Sequence, residues 1–308
     1  MHRVLVLALV AGCYNPTVAA GEPCSDQGFC PSGETCIGGR CLVGPPEADA
    51  AVDATSVDAK VDAPLVDASM DAFVSPTWLT PTPIPGVNTT ADEGDPSLTP
   101  DRLTIVFARN DDLFLGTRPN TGAAFTVAAL TTLNTTSVET SPEISADGTT
   151  LYFASDRLVP LSGDIYRSTF TAGAWTAPVL VTELNTSGDE GDVAVSPNGL
   201  TLFLARGTNL LKSTRPTTAS VWGTPFVTGT AWGTNPASPS INGAGDVYLH
   251  ANNPRDLFVS RRGVLGFYPT PTPITELNTA TRDAAPFVSA DDLYMAFEHD
   301  GDLYETHR

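Results

Sequence analysis

The sequence predicts an all-β fold, a five-bladed β-propeller built from four-stranded blades. Three observations carry this reading. Beyond the N-terminus, apolar residues rarely recur at helical spacing, and Thr, Val, Pro, Gly and Asp dominate the composition. A unit of about 46 residues with three strand signals in fixed order occurs five times. A fourth-strand signature precedes the first unit and is missing after the last, as ring closure requires and an open stack does not.

The chain begins with Arg3 and an apolar run from Val4 to Ala11, too short to span a bilayer and typical of an export signal over residues 1–12. Val10-Ala11-Gly12-Cys13 resembles the lipobox of bacterial lipoproteins, which implies cleavage before Cys13 and a diacylglycerol on its sulfur; an ordinary cleaved signal is the alternative. Lipid chains contribute roughly 0.8 kcal/mol per buried methylene, so an acylated Cys13 would hold the protein on a membrane. The implied location is the cell envelope, on the periplasmic face or the outer-membrane surface.

Residues 13–43 hold every cysteine of the chain: Cys13, Cys24, Cys30, Cys36 and Cys41. In an exported chain the last four indicate a small knot with two disulfides, each contributing near 3 kcal/mol by the chain-entropy model. Three connectivities are possible, with Cys24–Cys36 and Cys30–Cys41 favoured. A zinc site is the competing reading, which the spacing fits poorly. Residues 44–75 change character, repeating Val-Asp-Ala at Val52, Val57, Val61 and Val66 with no aromatic residue before Phe73. Such a segment cannot offset its ordering entropy and reads as an extended, self-repelling linker. An Asp-Ala-rich spacer after a Cys-rich knot resembles those of myxobacterial surface lipoproteins.

The propeller is assigned to residues 76–308. Inner strands are marked by Pro96-Ser97-Leu98, Pro142-Glu143-Ile144, Val193-Ala194-Val195, Pro239-Ser240-Ile241 and Pro286-Phe287-Val288, separated by 46, 51, 46 and 47 residues. Second strands carry Ile105 to Phe107, Leu151 to Phe153, Leu202 to Leu204, Val247 to Leu249 and Met295 to Phe297. Third strands open at Asp112, Asp164, Asn209, Asp256 and Asp302. The fourth-strand signature, an aromatic residue and a Pro-rich run ending in Leu-Asn-Thr, follows the first, second and fourth units. It diverges after the third, from Trp222 to Thr234. The fifth unit ends at Arg308 without one, while Trp78 to Thr89 supplies one ahead of the first unit. The strand at about residues 78–88 is therefore expected to complete the last blade.

Pro142 to Arg157, followed by Asp164-Ile165-Tyr166, resembles the WD40-like repeat of TolB-type propellers. The resemblance extends from Trp78 to Arg308 and implies a propeller that serves as a binding platform. It implies no reaction.

An acidic residue stands three positions before the inner-strand anchor in four units, at Glu93, Glu139, Glu190 and Asp283, with Asn235-Pro236 at the remaining junction. These positions are expected to ring one channel mouth, where clustered carboxylates would hold Ca²⁺ or a polar ligand; alternatively each caps a turn of its own blade. Asp and Asn at the starts of third strands, and Asp101, Asp147 and Asn198 in hairpins, read as turn residues. Trp78, Phe125, Trp175, Trp222 and Phe267 recur once per blade and are expected between blades, with Trp222 or Trp232 as possible sugar-stacking faces. His250 is expected at a core position held by Phe107 and Phe153 elsewhere.

The net charge of -19, with only Lys60 and Lys212 as lysines, argues against nucleic acid as a partner. No nucleophile elbow, zinc-protease motif or phosphate loop is present. The function expected is a non-catalytic module binding an envelope protein or glycan, without a required cofactor. The alternative is a glycan-cleaving enzyme using channel-mouth carboxylates, which need a defined separation.

Overall fold

A computed structural model describes residues 77–228, 231–252 and 254–308, together with the backbone of 34–37 and 40–43. The chain divides into two units, Met1–Met70 and Asp71–Arg308. In the first, strands β1 (Glu34–Ile37) and β2 (Arg40–Val43) pair antiparallel, with Cys36 opposite Cys41 along the backbone. The export signal, Cys13, Cys24, Cys30 and the linker at 44–75 lie outside the described residues, so the favoured disulfide pairing does too. Among the described residues, no helix is long and apolar enough to cross a membrane.

The second unit is the five-bladed propeller. Strand β3 (Thr82–Pro83) comes first in this unit and is the outermost strand of the last blade. The first blade comprises β4 (Glu93–Leu98), β5 (Thr104–Arg109), β6 (Asp112–Thr117) and β7 (Thr126–Ala129). The second comprises β8 (Glu139–Ile144), β9 (Thr150–Val159) and β10 (Ser162–Thr171), with two short outer pieces, β11 (Ala174–Trp175) and β12 (Val179–Leu180). The third comprises β13 (Glu190–Val195), β14 (Thr201–Arg206), β15 (Asn209–Thr214) and β16 (Phe226–Val227). In the fourth are β17 (Ala237–Ile241), β18 (Val247–Ala251), β19 (Asp256–Ser260) and β20 (Thr272–Pro273). The fifth is β21 (Asp283–Val288), β22 (Tyr294–His299), β23 (Asp302–His307) and then β3.

Closure rests on backbone and apolar contacts together. Leu79 N–H donates to His307 O at 2.8 Å and Ile84 N–H to Leu303 O at 2.9 Å. Ile84 and Val87 pack in one cluster with Leu98, Ile105 and Phe107 of the first blade and Tyr294 and Leu303 of the last. The other clusters likewise pair consecutive blades, as where Tyr152, Ile165 and Leu184 meet Leu202, Leu204 and Trp222. Burial of these faces is the main stabilising term, because each blade alone would leave two apolar surfaces in water.

Two features were not read from the sequence. Outer strands shrink to two residues in most blades, because prolines such as Pro83 and Pro273 end the ladder. Every inner strand also carries a register break, between Gly94 and Ser97, Thr140 and Glu143, Gly191 and Ala194, Ala237 and Ser240, and Ala284 and Phe287. At these bulges Asp95, Ser141, Asp192, Ser238 and Ala285 adopt left-handed backbone, with φ from 45° to 51°.

The expected inter-blade aromatics Trp78, Phe125, Trp175 and Trp222 are buried, but Phe267 is exposed and Tyr268 takes the buried place. The cause is a turn in which Gly263 N–H donates to Phe267 O, with Leu265 at φ 62°, which swings Phe267 outward. Trp222 and Trp232 are 3% and 4% exposed, so neither offers a face to a sugar.

Trp78 is 5% exposed and packs with Tyr248, Leu257 and Phe297, with the Arg308 guanidinium 4.2 Å from its ring. Trp78→Ala should therefore cost about 3–5 kcal/mol in urea denaturation, the usual loss for a core aromatic. A loss under about 1 kcal/mol would mean that the N-terminal strand does not lock the ring.

Candidate functional site

The recurring Leu-Asn-Thr explains itself locally. Asn134 accepts the Leu113 N–H at 2.9 Å and donates to Leu113 O at 3.1 Å, tying the turn to the third strand. Asn88 does the same to Leu303, and Asn278 to Leu257. Asn185 completes the set with Ile165. The following threonine then holds the carboxylate four residues on. Thr135 donates its N–H and its hydroxyl to Glu139, each at 2.8 Å. Thr89 does so to Glu93, Thr186 to Glu190 and Thr279 to Asp283.

A basic side chain from the second strand completes each clamp. Arg109 reaches Glu93 at 2.6 Å, Arg206 reaches Glu190 at 2.6 Å, Arg157 reaches Glu139 at 3.1 Å, and His299 reaches Asp283 at 2.7 Å. The three arginines also donate to the carbonyls of Val87, Leu184 and Leu133. Glu93, Glu139, Glu190 and Asp283 are thus buried and satisfied inside their own blades. They do not line the channel, which corrects the expected ring. The repulsion that would have recruited Ca²⁺ is relieved by these basic side chains and donors. Among the described residues, no group of three or more His, Cys, Asp and Glu is arranged to hold a metal.

The bulge explains the displacement. It turns the residue two positions later toward the axis, where Asp95, Ser141, Asp192 and Ser238 meet. The Ser141 hydroxyl donates to Asp192 at 2.7 Å and approaches Asp95 at 3.4 Å, and Ser238 contacts both carboxylates at 3.3 Å. Burial first, then the facing Asp192, pushes the Asp95 carboxyl up to about 6. The space enclosed by this ring and the prolines Pro96, Pro142, Pro239 and Pro286 is only about 30 Å³. That is room for one water molecule and not for a sugar ring.

The fourth blade has Pro236 in place of the acid, opposite the Ala251 backbone in register with Ala237 and His250. With the clamp missing, a crevice of about 340 Å³ opens between the third and fourth blades, lined by Asp189, Asp192, Asn235, His250 and Arg255 among others. Asn235 is the one sequence-predicted candidate that lines it. His250 lies opposite Leu257, so it takes the place of Ala108, Ala154 and Ala205, not of Phe107. Its Nδ1 accepts the Ala285 N–H at 3.2 Å, and burial lowers its pKa to about 4, which keeps the ring neutral with its proton on Nε2. The fifth blade has Glu298 at this same position, bound by Arg282 at 2.8 Å and pushed up to about 7 mainly by burial.

The opposite end of the channel, where inner and second strands join, opens into a cavity of about 380 Å³ to which all five blades contribute. Hairpin residues rim it. Asp101, Asp147, Asn198 and Asp291 each accept the N–H two residues on, as turn residues should. Asp112, Asp164, Asp256 and Asp302 make no such bond. Glu143 lines the cavity wall, accepting from the Ser97 hydroxyl at 2.8 Å and the Val195 N–H at 2.9 Å; burial raises its carboxyl to about 7. Glu143, Tyr152 and Arg167 stand directly opposite one another on β8, β9 and β10.

Sequence reasoning missed Glu143 and Arg167 because it followed what repeats. The signal lay in the departures. Glu143 stands where the other blades have Ser97, Ala194, Ser240 and Phe287, and Arg167 where they have Leu115, Lys212, Val259 and Glu305. Arg215 is a repeat residue by contrast. Like Arg118 and Arg308, it donates to a hairpin carbonyl and lies over a buried aromatic ring.

Glu139→Gln should destabilise the propeller by about 3 kcal/mol in urea, since Arg157 and the Thr135 N–H lose their buried anion. Unchanged stability would return Glu139 to the list of ligand residues. A second expectation concerns pH. Folded Glu143, Glu298 and Asp95 keep protons up to about 7, 7 and 6, whereas ordinary carboxyls release them near 4. Their stabilisation is present at low pH and lost as pH rises through those values. His250 acts in the opposite sense, losing its contribution as pH falls from about 6.5 to 4. Three carboxyls outweigh one imidazole, so urea midpoints should fall from pH 5 to pH 7.5, and less steeply in Glu143→Gln. A variant slope equal to the wild-type slope would mean that Glu143 titrates normally.

No family model matches the chain, and no curated protein matches it. Solved structures similar to it include a protein assigned to TolB in Agrobacterium tumefaciens, at 16% identity and a TM-score of 0.46 over 70% of this chain and 72% of that one. A gluconolactonase of Xanthomonas campestris aligns at 11% identity and a TM-score of 0.47, over 74% and 89% of the two chains. TolB of Acinetobacter baumannii aligns at 19% identity and a TM-score of 0.37, over 59% and 46%. At these identities the likeness is one of fold and says nothing of function.

Proposed function

We propose that the chain is a non-catalytic binding module of the cell envelope, anchored through Cys13 and taking a protein or glycan partner in the hairpin-face cavity. The observation that carries this is a cavity of about 380 Å³, within the usual range for ligand pockets, whose wall holds an exposed arginine with no partner. Arg167 makes no side-chain hydrogen bond, ion pair or ring contact among the described residues. An exposed, unpaired guanidinium beside a concave surface has no part in building the blade. It is free to bind.

The glycan-cleaving alternative is weaker on physical grounds. Glycoside hydrolysis needs two carboxylates flanking the bond to be cut. The four repeated acids are locked in clamps, and Asp95 and Asp192 flank a space the size of one water. The lipid anchor, disulfide knot and linker belong to the same proposal and rest on residues 1–75 of the sequence.

Retention of envelope material on the immobilised full chain tests the reading. Thr169→Trp obstructs the cavity rim and Asn235→Trp obstructs the crevice on the other face; both residues are exposed. The expected result is loss of retained partner in Thr169→Trp and not in Asn235→Trp. The reverse pattern would move the site to the crevice, and release of cleaved glycan by the wild type would replace binding with catalysis.

A further inference from the structure

The hairpin-face cavity has a polar row along one wall that limits what it can hold. Glu143 is opposite Tyr152 on the neighbouring strand, and Tyr152 is opposite Arg167 on the next. Directly opposite residues of adjacent strands share a face and lie about 5 Å apart, so the row runs about 10 Å from the inner strand outward. Its three groups differ in chemistry. The Glu143 carboxyl, half-protonated near neutral pH, both donates and accepts. The Tyr152 oxygen accepts the Trp222 Nε1–H at 3.3 Å, leaving its own hydrogen to donate. Arg167 ends the row as an unpaired, planar cation suited to a carboxylate.

The other walls are apolar, with Leu98, Ile144, Ile241 and the half-buried Phe287 facing the space. The hairpin backbone at the rim is consumed by its own turns: Ser145 N–H bonds to Thr150 O, Ser196 N–H to Thr201 O, and Thr99 N–H to Thr104 O. An extended peptide relies on main-chain partners of that kind, whereas a saccharide relies on side-chain donors and acceptors beside apolar surface. The chain as a whole carries -19, so an anion is drawn here only by local cations, and Arg102 joins Arg167 on the lining. The Arg102 guanidinium lies 5.0 Å from the Tyr294 ring and makes no hydrogen bond among the described residues.

Resting on the reading of this cavity as the binding site, we propose that it takes a carboxylate-bearing saccharide, with the carboxylate on Arg167 and hydroxyls on Tyr152 and Glu143. The departures from the repeat agree with this assignment, since the row exists in the second blade alone: no other blade has both a carboxyl and a guanidinium at these two positions.

Calorimetric titration of the full chain tests it with two pairs of probes, digalacturonate against its methyl ester and sialyllactose against lactose. At least one acid should bind ten times more tightly than its neutral counterpart. That preference should vanish in Arg167→Ala and return in part in Arg167→Lys. Arg167 is exposed, so its replacement leaves the fold intact, which a urea curve confirms. Equal binding of acid and neutral forms, or an undiminished preference in Arg167→Ala, would overturn the proposal. So would binding of an acetylated tripeptide with a free C-terminus, or of inorganic phosphate, where both saccharide acids fail. If the acids fail while envelope material is still retained and is lost in Thr169→Trp, only the ligand class is wrong. If Thr169→Trp retains that material, the cavity reading itself falls.

Discussion

The propeller depends on a buried carboxylate clamped between a threonine and a basic side chain at the connection between blades. Burying an ionised carboxylate costs several kcal/mol, and the cost is offset only when donors and an opposite charge are close. Three clamps provide both, with two bonds from Thr89, Thr135 or Thr186 and a charge from Arg109, Arg157 or Arg206; in the fourth, Thr279 and the His299 ring hold Asp283. The arginines then donate to a carbonyl of the incoming connection, and two of them also lie over aromatic rings, Arg109 4.5 Å from Phe114 and Arg157 4.8 Å from Tyr166. One side chain therefore fixes the outer connection, the inner strand and the second strand together. Because the inner strand begins at the clamp, the bulge and the axial residues that follow are positioned by it.

That dependence accounts for where the molecule is open. Four connections carry the clamp and pack closely. The junction into the fourth blade has Pro236 and Ala251 where the carboxylate and cation would be, and a crevice results. Repetition also absorbs part of the charge. Of the cations in residues 77–308, those in clamps and those capping hairpins have partners inside the fold. Arg167 does not, and it sits beside the largest cavity described. Groups that the repeat does not require, such as Glu143, Arg167 and His250, line the cavity or the crevice.

Much of this fold was legible in the sequence, and the illegible part has a common cause. Five copies, the strand order and closure by the segment after Trp78 follow from spacing alone, because blades of equal size must repeat at equal intervals. The bulge does not announce itself. Asp95, Ser141, Asp192, Ser238 and Ala285 share no residue type, yet all adopt left-handed backbone, so the register shift is set by tertiary packing. Missing it placed Glu93, Glu139, Glu190 and Asp283 at the axis, two residues from the groups that are there. The same kind of error put His250 on the wrong phase of its strand, and a local turn exchanged Phe267 for Tyr268. A one-residue slip moves a side chain to the other face, so position along a strand is the least forgiving inference.

The axial ring decides how the two faces relate. Asp95 and Asp192, bridged by Ser141 and Ser238 and backed by four prolines, leave about 30 Å³ at the axis. A ligand in the hairpin cavity therefore cannot thread the channel, and recognition at that face is confined to it. Glu143 lies along this constriction as well as in the cavity wall, with its carboxyl near half-protonation at neutral pH. An anion held at Arg167, two strands away, would favour the protonated carboxyl. A hydroxyl on Glu143 is satisfied by either protonation state, because the protonated group still has an acceptor oxygen. The wall is thus compatible with a ligand that is anionic at its outer end and hydroxylated at its inner end. It is poorly matched to one with the opposite polarity, whose anion would have to be buried beside Glu143 and the paired carboxylates of the ring.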